Sequence, residues 1–330
     1  MAIRTKLNVP PERVTDLISR ALERRVVSLR ELTEGSYATL WLARLSDGRD
    51  VVLKLAPPSK VELLSYEREI IRTEALFYEL AAQTGVPVPA LLHADLDGPI
   101  QYLIMSAIDG VPWFGADERL AADDRRRLRR ELGRQVAVLH QITGTTYGYP
   151  QQPAMTATSW TAAFLAMIDG VLADAVRFRA DLPLPAARIA NAVRAHAHVL
   201  QDVRVPVLVH FDLWPGNVLL DLTGERPTIA GLIDHERAFW GDPVADFVSL
   251  DVFGASERDE DLVGGYREAG GRLPRTASVR VRLALYRLYL YLIMLVEEGP
   301  RGFSATSIKE RHDLTVRALL DQMRILNAPR

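Results

Sequence analysis

Near residue 106 the apolar residues of this 330-residue chain change their spacing, and that change limits the folds open to it. Before it they fall in short β-type runs, "VVSLREL" (26–32), "YATLWLARL" (37–45), "DVVLKL" (50–55) and "QYLIMS" (101–106). Turn signals at Glu34-Gly35-Ser36 and Asp47-Gly48 separate the first three, so the pattern predicts a meander of antiparallel strands. A short amphipathic helix over 11–24 precedes them. One long helix over about 60–83 interrupts them, with Leu63, Leu64, Ile70, Ile71, Leu76, Phe77 and Leu80 at three- and four-residue steps. The prolines of "GVPVPALLHAD" end it. After the change, residues 117–142, 159–180, 184–203, 256–270, 277–298 and 306–326 read as helices between Gly- and Pro-containing breaks. The expected fold is α+β and bilobal: a small antiparallel-sheet lobe with one long helix over residues 1–106, a linker near 106–112, and a larger, mostly helical lobe within residues 107–330.

Charge and composition remove several function classes. Forty Lys and Arg against 42 Asp and Glu give a net charge of -2, which leaves no electrostatic footprint for nucleic acid. There is no cysteine, hence no disulfide, thiolate metal site or cysteine nucleophile. The N-terminus lacks a signal-peptide core, and "YRLYLYLIMLV" (286–296) is too short to span a bilayer. The expectation is a cytoplasmic protein with no membrane partner, and that stretch is read as a buried helix. The run "DDRRRLRREL" (123–132) invites a phosphate-binding reading, but Leu120, Leu128, Leu132, Val136 and Leu139 recur at helical spacing, so its arginines form a solvated face.

The chemistry concentrates in "LVHFDLWPGNVLL" (208–220), an apolar run opened to insert His210, Asp212 and Asn217 around a Trp-Pro-Gly turn. A second apolar run, "TIAGLI" (228–233), delivers Asp234-His235-Glu236 at its end. Adjacent strand ends would bring Asp212, Asn217 and Asp234 together, a set of hard oxygen donors suited to Mg²⁺. The alternatives are turn or cap residues, and a zinc or iron site using His210, Asp212, His235 and Glu236, whose spacing fits such sites poorly. Lys54 stands out as the one charge inside the apolar strand "VVLKLA" and calls for a carboxylate partner from Glu67, Glu69 or Glu74.

His-x-Asp-x-x-x-x-Asn, a strand, another strand and then Ile-Asp resembles the core of the eukaryotic-like kinases. Phe211 stands where protein kinases carry arginine, and Asp234-His235-Glu236 stands where they carry Asp-Phe-Gly. Both departures, together with "GDPVADF" (241–247), are similar to the small-molecule branch, the aminoglycoside phosphotransferase and choline kinase-like family. The resemblance implies a protein-kinase-like fold and Mg²⁺-dependent transfer of the γ-phosphate of ATP or GTP to a small-molecule hydroxyl. It gives Asp212 the acceptor proton, His210 the orientation of the loop, Asn217 and Asp234 the metal, and Lys54 the phosphates. Aligning "TEALFYELAAQTGVPVP" with the family favours Glu74 over Glu67 as partner of Lys54. The hairpin "LTEGSYATLWLARL" would cover phosphate with Gly35 and Ser36. In "YLIMSAIDG" (102–110), which resembles the family's hinge, Met105 would back the nucleotide pocket and Ser106 and Ala107 would offer backbone contacts to the base.

For the acceptor, the residues nearest the phosphoryl site are Glu236, Arg237 and Trp240. Acidic residues such as Asp169, Asp174, Asp246, Asp251, Glu257 and those of "SERDEDL" would suit a polycationic aminoglycoside. Trp113, Trp160 and Phe164 would suit a sugar face. The expected activity is phosphorylation of an aminoglycoside or other antibiotic. "HFDLWPGN" is also similar to the His-Gly-Asp-Leu-Trp-x-Gly-Asn loop of fructosamine-type sugar kinases, with Phe211 replacing glycine, so a metabolic sugar kinase is the nearest rival. A nucleotide-binding pseudokinase and a metal-dependent hydrolase are the readings from other classes. The absence of Gly-x-x-x-x-Gly-Lys-Ser/Thr and Gly-x-Ser-x-Gly sequences removes a Walker-type site and an α/β-hydrolase elbow.

Overall fold

The computed structural model describes residues 5–33, 35, 37–58, 60–303 and 305–328. The chain opens with helix α1 (Pro11–Leu22) and strands β1 (Val26–Leu32), β2 (Thr39–Leu45) and β3 (Asp50–Leu55). Helix α2 (Ile70–Ala81) and strands β4 (Leu91–Asp95) and β5 (Tyr102–Ser106) follow. The five strands form one antiparallel sheet in the order β1-β2-β3-β5-β4. Because successive strand residues face opposite sides, Val51, Leu53 and Leu55 pack with Val14 and Ile18 of α1. The other face of β3 carries Val52 and Lys54 toward α2, where Ile71, Ala75 and Tyr78 pack with Leu103 and Met105 of β5. The alternation of β3 thus points its one charged residue at the long helix.

That helix begins later than its apolar spacing predicts. Residues 65–67 make a single 3₁₀ turn, and Glu69 adopts φ 58, which breaks the path into α2. Contacts from the helical lobe explain the departure. Asp174 accepts hydrogen bonds from the Ser65 amide and hydroxyl, at 2.5 and 2.8 Å, and Glu67 turns inward to Arg301. Tertiary pairing outweighs helix propensity over these residues.

The helical lobe contains β6 (Val111–Pro112), α3 (Trp113–Ala116), α4 (Ala122–Leu139), β7 (Tyr147–Gly148), β8 (Thr156–Ala157), α5 (Trp160–Arg177) and α6 (Ala186–His196). Then come β9 (Val207–Val209), β10 (Val218–Asp221), β11 (Thr228–Leu232), β12 (Phe239–Gly241), α7 (Asp246–Ser249) and α8 (Glu260–Glu268). Helices α9 (Ala277–Val296), α10 (Glu298–Arg301) and α11 (Ala305–Asn327) close the chain. The strands form two small sheets, β11-β10-β6 and β8-β7-β12-β9, and each polar cluster lies where the chain crosses from one to the other, between β9 and β10 and between β11 and β12. The apolar run 286–296 lies inside α9, which is buried around its circumference. No described helix is long and apolar enough to cross a membrane. The arginines of α4 are engaged by Asp117, Asp123, Asp259 and Glu268, which leaves no basic stripe for phosphate.

Helices α4 and α8 approach through paired glycines. A Cβ on Gly133 would run into the Leu262 carbonyl, and one on Gly265 into the Arg130 carbonyl. Backbone cannot yield as a side-chain tip does, so Gly133→Ala is expected to destabilise by about 1–3 kcal/mol. Gly115→Ala, where a Cβ meets open space, should leave thermal unfolding unchanged.

Candidate active site

The loop between β9 and β10 is fixed from behind. Asp246, fully buried at the start of α7, accepts from the amides of His210 (3.1 Å) and Phe211 (2.7 Å) and lies 2.9 Å from Nε2 of His140. The Leu213 amide donates to Ser249 Oγ at 3.1 Å. His210 Nε2 donates to the Ile233 carbonyl at 3.0 Å, so its Nδ1 is the acceptor for the Asp212 amide at 3.3 Å. Phe211, at φ 60, takes the left-handed conformation that glycine adopts at little cost. Its ring is fully buried and packs against Phe239 and Tyr289, with centroids 5.1 and 5.7 Å away.

The same bonds draw the second cluster alongside. Val218 pairs with Leu232, and the Ile233 amide donates to the Asn217 carbonyl at 3.0 Å, so Asp234 follows directly beside the loop. The Asn217 side-chain amide donates to the Asp212 carbonyl at 2.8 Å, which leaves its oxygen as the group able to ligate a cation. Asp234 also has positive φ, 66, and its amide donates to the Tyr78 hydroxyl at 3.0 Å.

Lys54 meets this cluster across the cleft. Its Nζ lies 2.7 Å from Glu74 Oε2, 2.7 Å from Asp234 Oδ1 and 2.8 Å from Glu236 Oε2. Burial alone would push the Lys54 ammonium down, but Asp234, Glu236 and Glu74 outweigh it and hold the group well above its usual range. Burial raises the Glu74 and Asp212 carboxyls. For Asp234 burial is overcome by Lys54, and the carboxyl stays below its usual value. Glu236 is pushed up to about 8 by burial and by the charge of Asp234. Three carboxyl groups share one ammonium here, and the raised Glu236 and Glu74 carboxyls limit how far the cluster is ionised near neutral pH. Their oxygens lie within 4.8 Å of one another around Lys54 Nζ, and the second oxygen of Asp234 and the Asn217 amide oxygen are the hard donors left for a divalent cation such as Mg²⁺.

The structure brings Lys54, Glu74, Asp234, Asn217, His210 and Asp212 to one cleft. It sends Glu67, the other partner weighed for Lys54, to Arg301 instead. Met105 is buried in β5 beside Val52 and Leu91. Of the backbone contacts expected of Ser106 and Ala107, the amides are already engaged. The Ser106 amide donates to Ala90 O at 2.9 Å and the Ala107 amide to Asp50 O at 3.0 Å, so neither is free for a base. Gly35 takes φ 87 in the hairpin between β1 and β2, while Ser36 lies outside the described residues.

The residues expected to read the acceptor are largely engaged within the protein. Trp240 is a core residue, edge-on to Phe77 and packed over Gly144. Trp113, Trp160 and Phe164 are core as well. Glu236 is spent on Lys54, and Arg237 on Asp212 and Glu297. The zinc or iron set does not assemble, since both ring nitrogens of His210 are taken, one by the Ile233 carbonyl and the other by the Asp212 amide. Spacing alone did not reveal Arg301, Glu297 or Tyr78 as neighbours of the site, because their partners lie scores of residues away.

With this geometry in place, the comparisons are specific. Residues 28–283 match the model of the APH phosphotransferase enzyme family, and the chain belongs to that family. A Lactiplantibacillus plantarum protein described as "Probable ketoamine kinase" is 36% identical over 106 residues. That match takes in 31% of this chain and 34% of the relative, so the chain spans about a third of the curated relative it matches. Among solved structures, a Thermobifida fusca protein assigned by name as a fructosamine-3-kinase superposes with TM-score 0.68 at 23% identity, covering 94% of this chain and 100% of that one. The ternary complex of APH(2")-IIa with streptomycin and ATP superposes with TM-score 0.62 at 16% identity, covering 97% and 99%. At those identities the likeness establishes the shared fold.

His235 supplies a pH test of the site's burial. Neither ring nitrogen has a hydrogen-bond partner among the described residues, and the ring lies against His210 and Tyr78 at 4.2 and 4.9 Å. Burial, then the nearby His210 ring, which repels a second imidazolium whenever it is itself protonated, and the Lys54 charge hold its imidazole well below the usual range. Below about pH 6.5 the unfolded chain takes up a proton there that the native chain refuses, so stability falls with pH by up to about 1.4 kcal/mol per unit from this group. His235→Phe removes the term. Its melting temperature should therefore drop less than that of the wild type between about pH 7 and pH 5.5 in the same scans.

Proposed function

We propose that the chain is a Mg²⁺-dependent kinase that transfers the γ-phosphate of ATP or GTP to a hydroxyl of a small, sugar-like acceptor, with ketoamines the favoured class. The observation that carries the reading is Lys54 held by Glu74, Asp234 and Glu236 in the cleft that Asp212 borders. In this reading Lys54 and the Mg²⁺ held by Asp234 and Asn217 accommodate the nucleotide phosphates. A bound divalent cation supplies charge neutralisation as the phosphoryl group moves. Asp212, aimed by the His210 and Asp246 hydrogen bonds, orients the acceptor hydroxyl and takes its proton. Its raised carboxyl suits that task better than a fully solvated one would. The filled set of Lys54, Asp212, Asn217 and Asp234 disfavours a pseudokinase.

The sequence favoured an antibiotic acceptor, and two observations now turn the preference toward ketoamines. The Lactiplantibacillus plantarum relative and the Thermobifida fusca structure both carry names from that class. Several of the acidic residues that would hold a polycation are paired within the protein. Asp169 pairs with Arg194, Asp174 with Arg177, Glu257 with Arg287 and Asp259 with Arg129, and Asp246 holds the loop. An aminoglycoside acceptor remains the second reading, since the APH(2")-IIa complex shows that class on a shared fold.

Nucleotide consumption measured with fructosyl-amines, aminoglycosides, macrolides and free sugars should be stimulated most by the fructosyl-amines. Stimulation by aminoglycosides alone would reverse the order of the two readings, and stimulation by none would sink both. Asp212→Ala should lower kcat by about 10²–10⁴-fold while Mg²⁺-nucleotide still binds, as calorimetry would report. Asp234→Ala should lose the Mg²⁺-dependent part of that binding as well.

A further inference from the structure

Arg237 follows the 234–236 cluster immediately, yet its guanidinium turns away from Lys54 and toward Asp212. Its Nε lies 3.8 Å from Asp212 Oδ2, the one cation within 4.0 Å of that carboxylate among the described residues. Its Nη2 donates to Glu297 Oε2 at 2.9 Å. Glu297 joins α9 to α10, is buried, and also receives Arg311 Nη1 of α11 at 3.4 Å, with Arg301 Nη2 at 3.8 Å. Arg301 in turn pairs with Glu67 of the small lobe and lies 4.6 Å from the centroid of the Tyr37 ring. The Tyr37 hydroxyl donates to the Glu67 carbonyl at 3.1 Å. An unbroken polar chain therefore runs from the end of the phosphate hairpin to Asp212 through Glu67, Arg301, Glu297 and Arg237.

We propose that Arg237 is a positioning residue which, clamped by Glu297, fixes the rotamer of the Asp212 carboxylate toward the acceptor hydroxyl. The chain behind it ties that orientation to the placement of the small lobe. The inference rests on the reading of Asp212 given above. A carboxylate held only by its backbone swings about χ1 and χ2, and a fixed cation on one oxygen leaves the other facing the acceptor. Buried arginine suits the role because it stays charged and its planar fork engages two carboxylates at once.

The test compares Arg237→Gln, Arg237→Lys, Glu297→Gln and the Arg237→Gln/Glu297→Gln pair in steady-state transfer, alongside Mg²⁺-nucleotide affinity and melting temperature. Misplacing a reacting group costs on the order of 100-fold, so kcat of Arg237→Gln should fall by about that factor with nucleotide affinity held within about threefold. Arg237→Lys keeps the charge and loses the fork, and should recover part of the rate. Because Glu297 acts through Arg237, the pair should be no slower than Arg237→Gln alone. A folded Arg237→Gln with kcat within about threefold of wild type, a parallel loss of nucleotide affinity, or losses that multiply in the pair each overturn the proposal. Should Arg237→Gln fail to fold, Arg237→Lys decides: kcat must drop while nucleotide affinity holds. Asp212→Ala separates the two levels. If it leaves turnover intact, the reading of Asp212 fails; if it abolishes turnover while the Arg237 variants do not, this inference alone fails.

Discussion

A single buried ammonium holds the molecule's two halves in register. Lys54 comes from β3, Glu74 from α2, and Asp234 and Glu236 from the end of β11, so one nitrogen draws together three elements from both lobes. Each of these charges would be costly to bury alone, and together they tolerate a position that none could hold singly. The strand alternation that turns Lys54 toward α2, the antiparallel pairing that ends β11 at the cleft, and the left-handed turn at Asp234 all serve that meeting.

Behind this charged front, the loop bearing Asp212 is held by buried hydrogen bonds. Asp246 takes two consecutive amides, His210 spans from the loop to the end of β11, and the Phe211 ring anchors the turn in the aromatic core. Groups fixed before a substrate arrives need little rearrangement during reaction. The ionic chain through Arg237 adds a third direction of support, from the far helical layer.

Much of this was legible in the sequence because it is local. Alternating apolar residues gave the strands, and the lone charge in "VVLKLA" was correctly expected to need a carboxylate. The strand that delivers Asp234 beside the 208–220 loop was readable from two apolar runs and the polar residues at their ends. What was hidden depends on partners far away in the chain. The late start of α2 follows from Asp174 and Arg301, more than one hundred residues downstream. The burial of Trp240, and the use of the Ser106 and Ala107 amides within the small lobe, likewise follow from sheet pairings that no window of sequence displays.

Phe211 shows how far a motif's letters can drift from its geometry. The backbone there has the torsion that glycine adopts freely, while the side chain fills a space between Phe239 and Tyr289 that glycine would leave open. Strain in the main chain is thereby set against ring packing at one and the same residue. A signature written with glycine at this step would pass over such chains, whereas one written in dihedral angles would gather them.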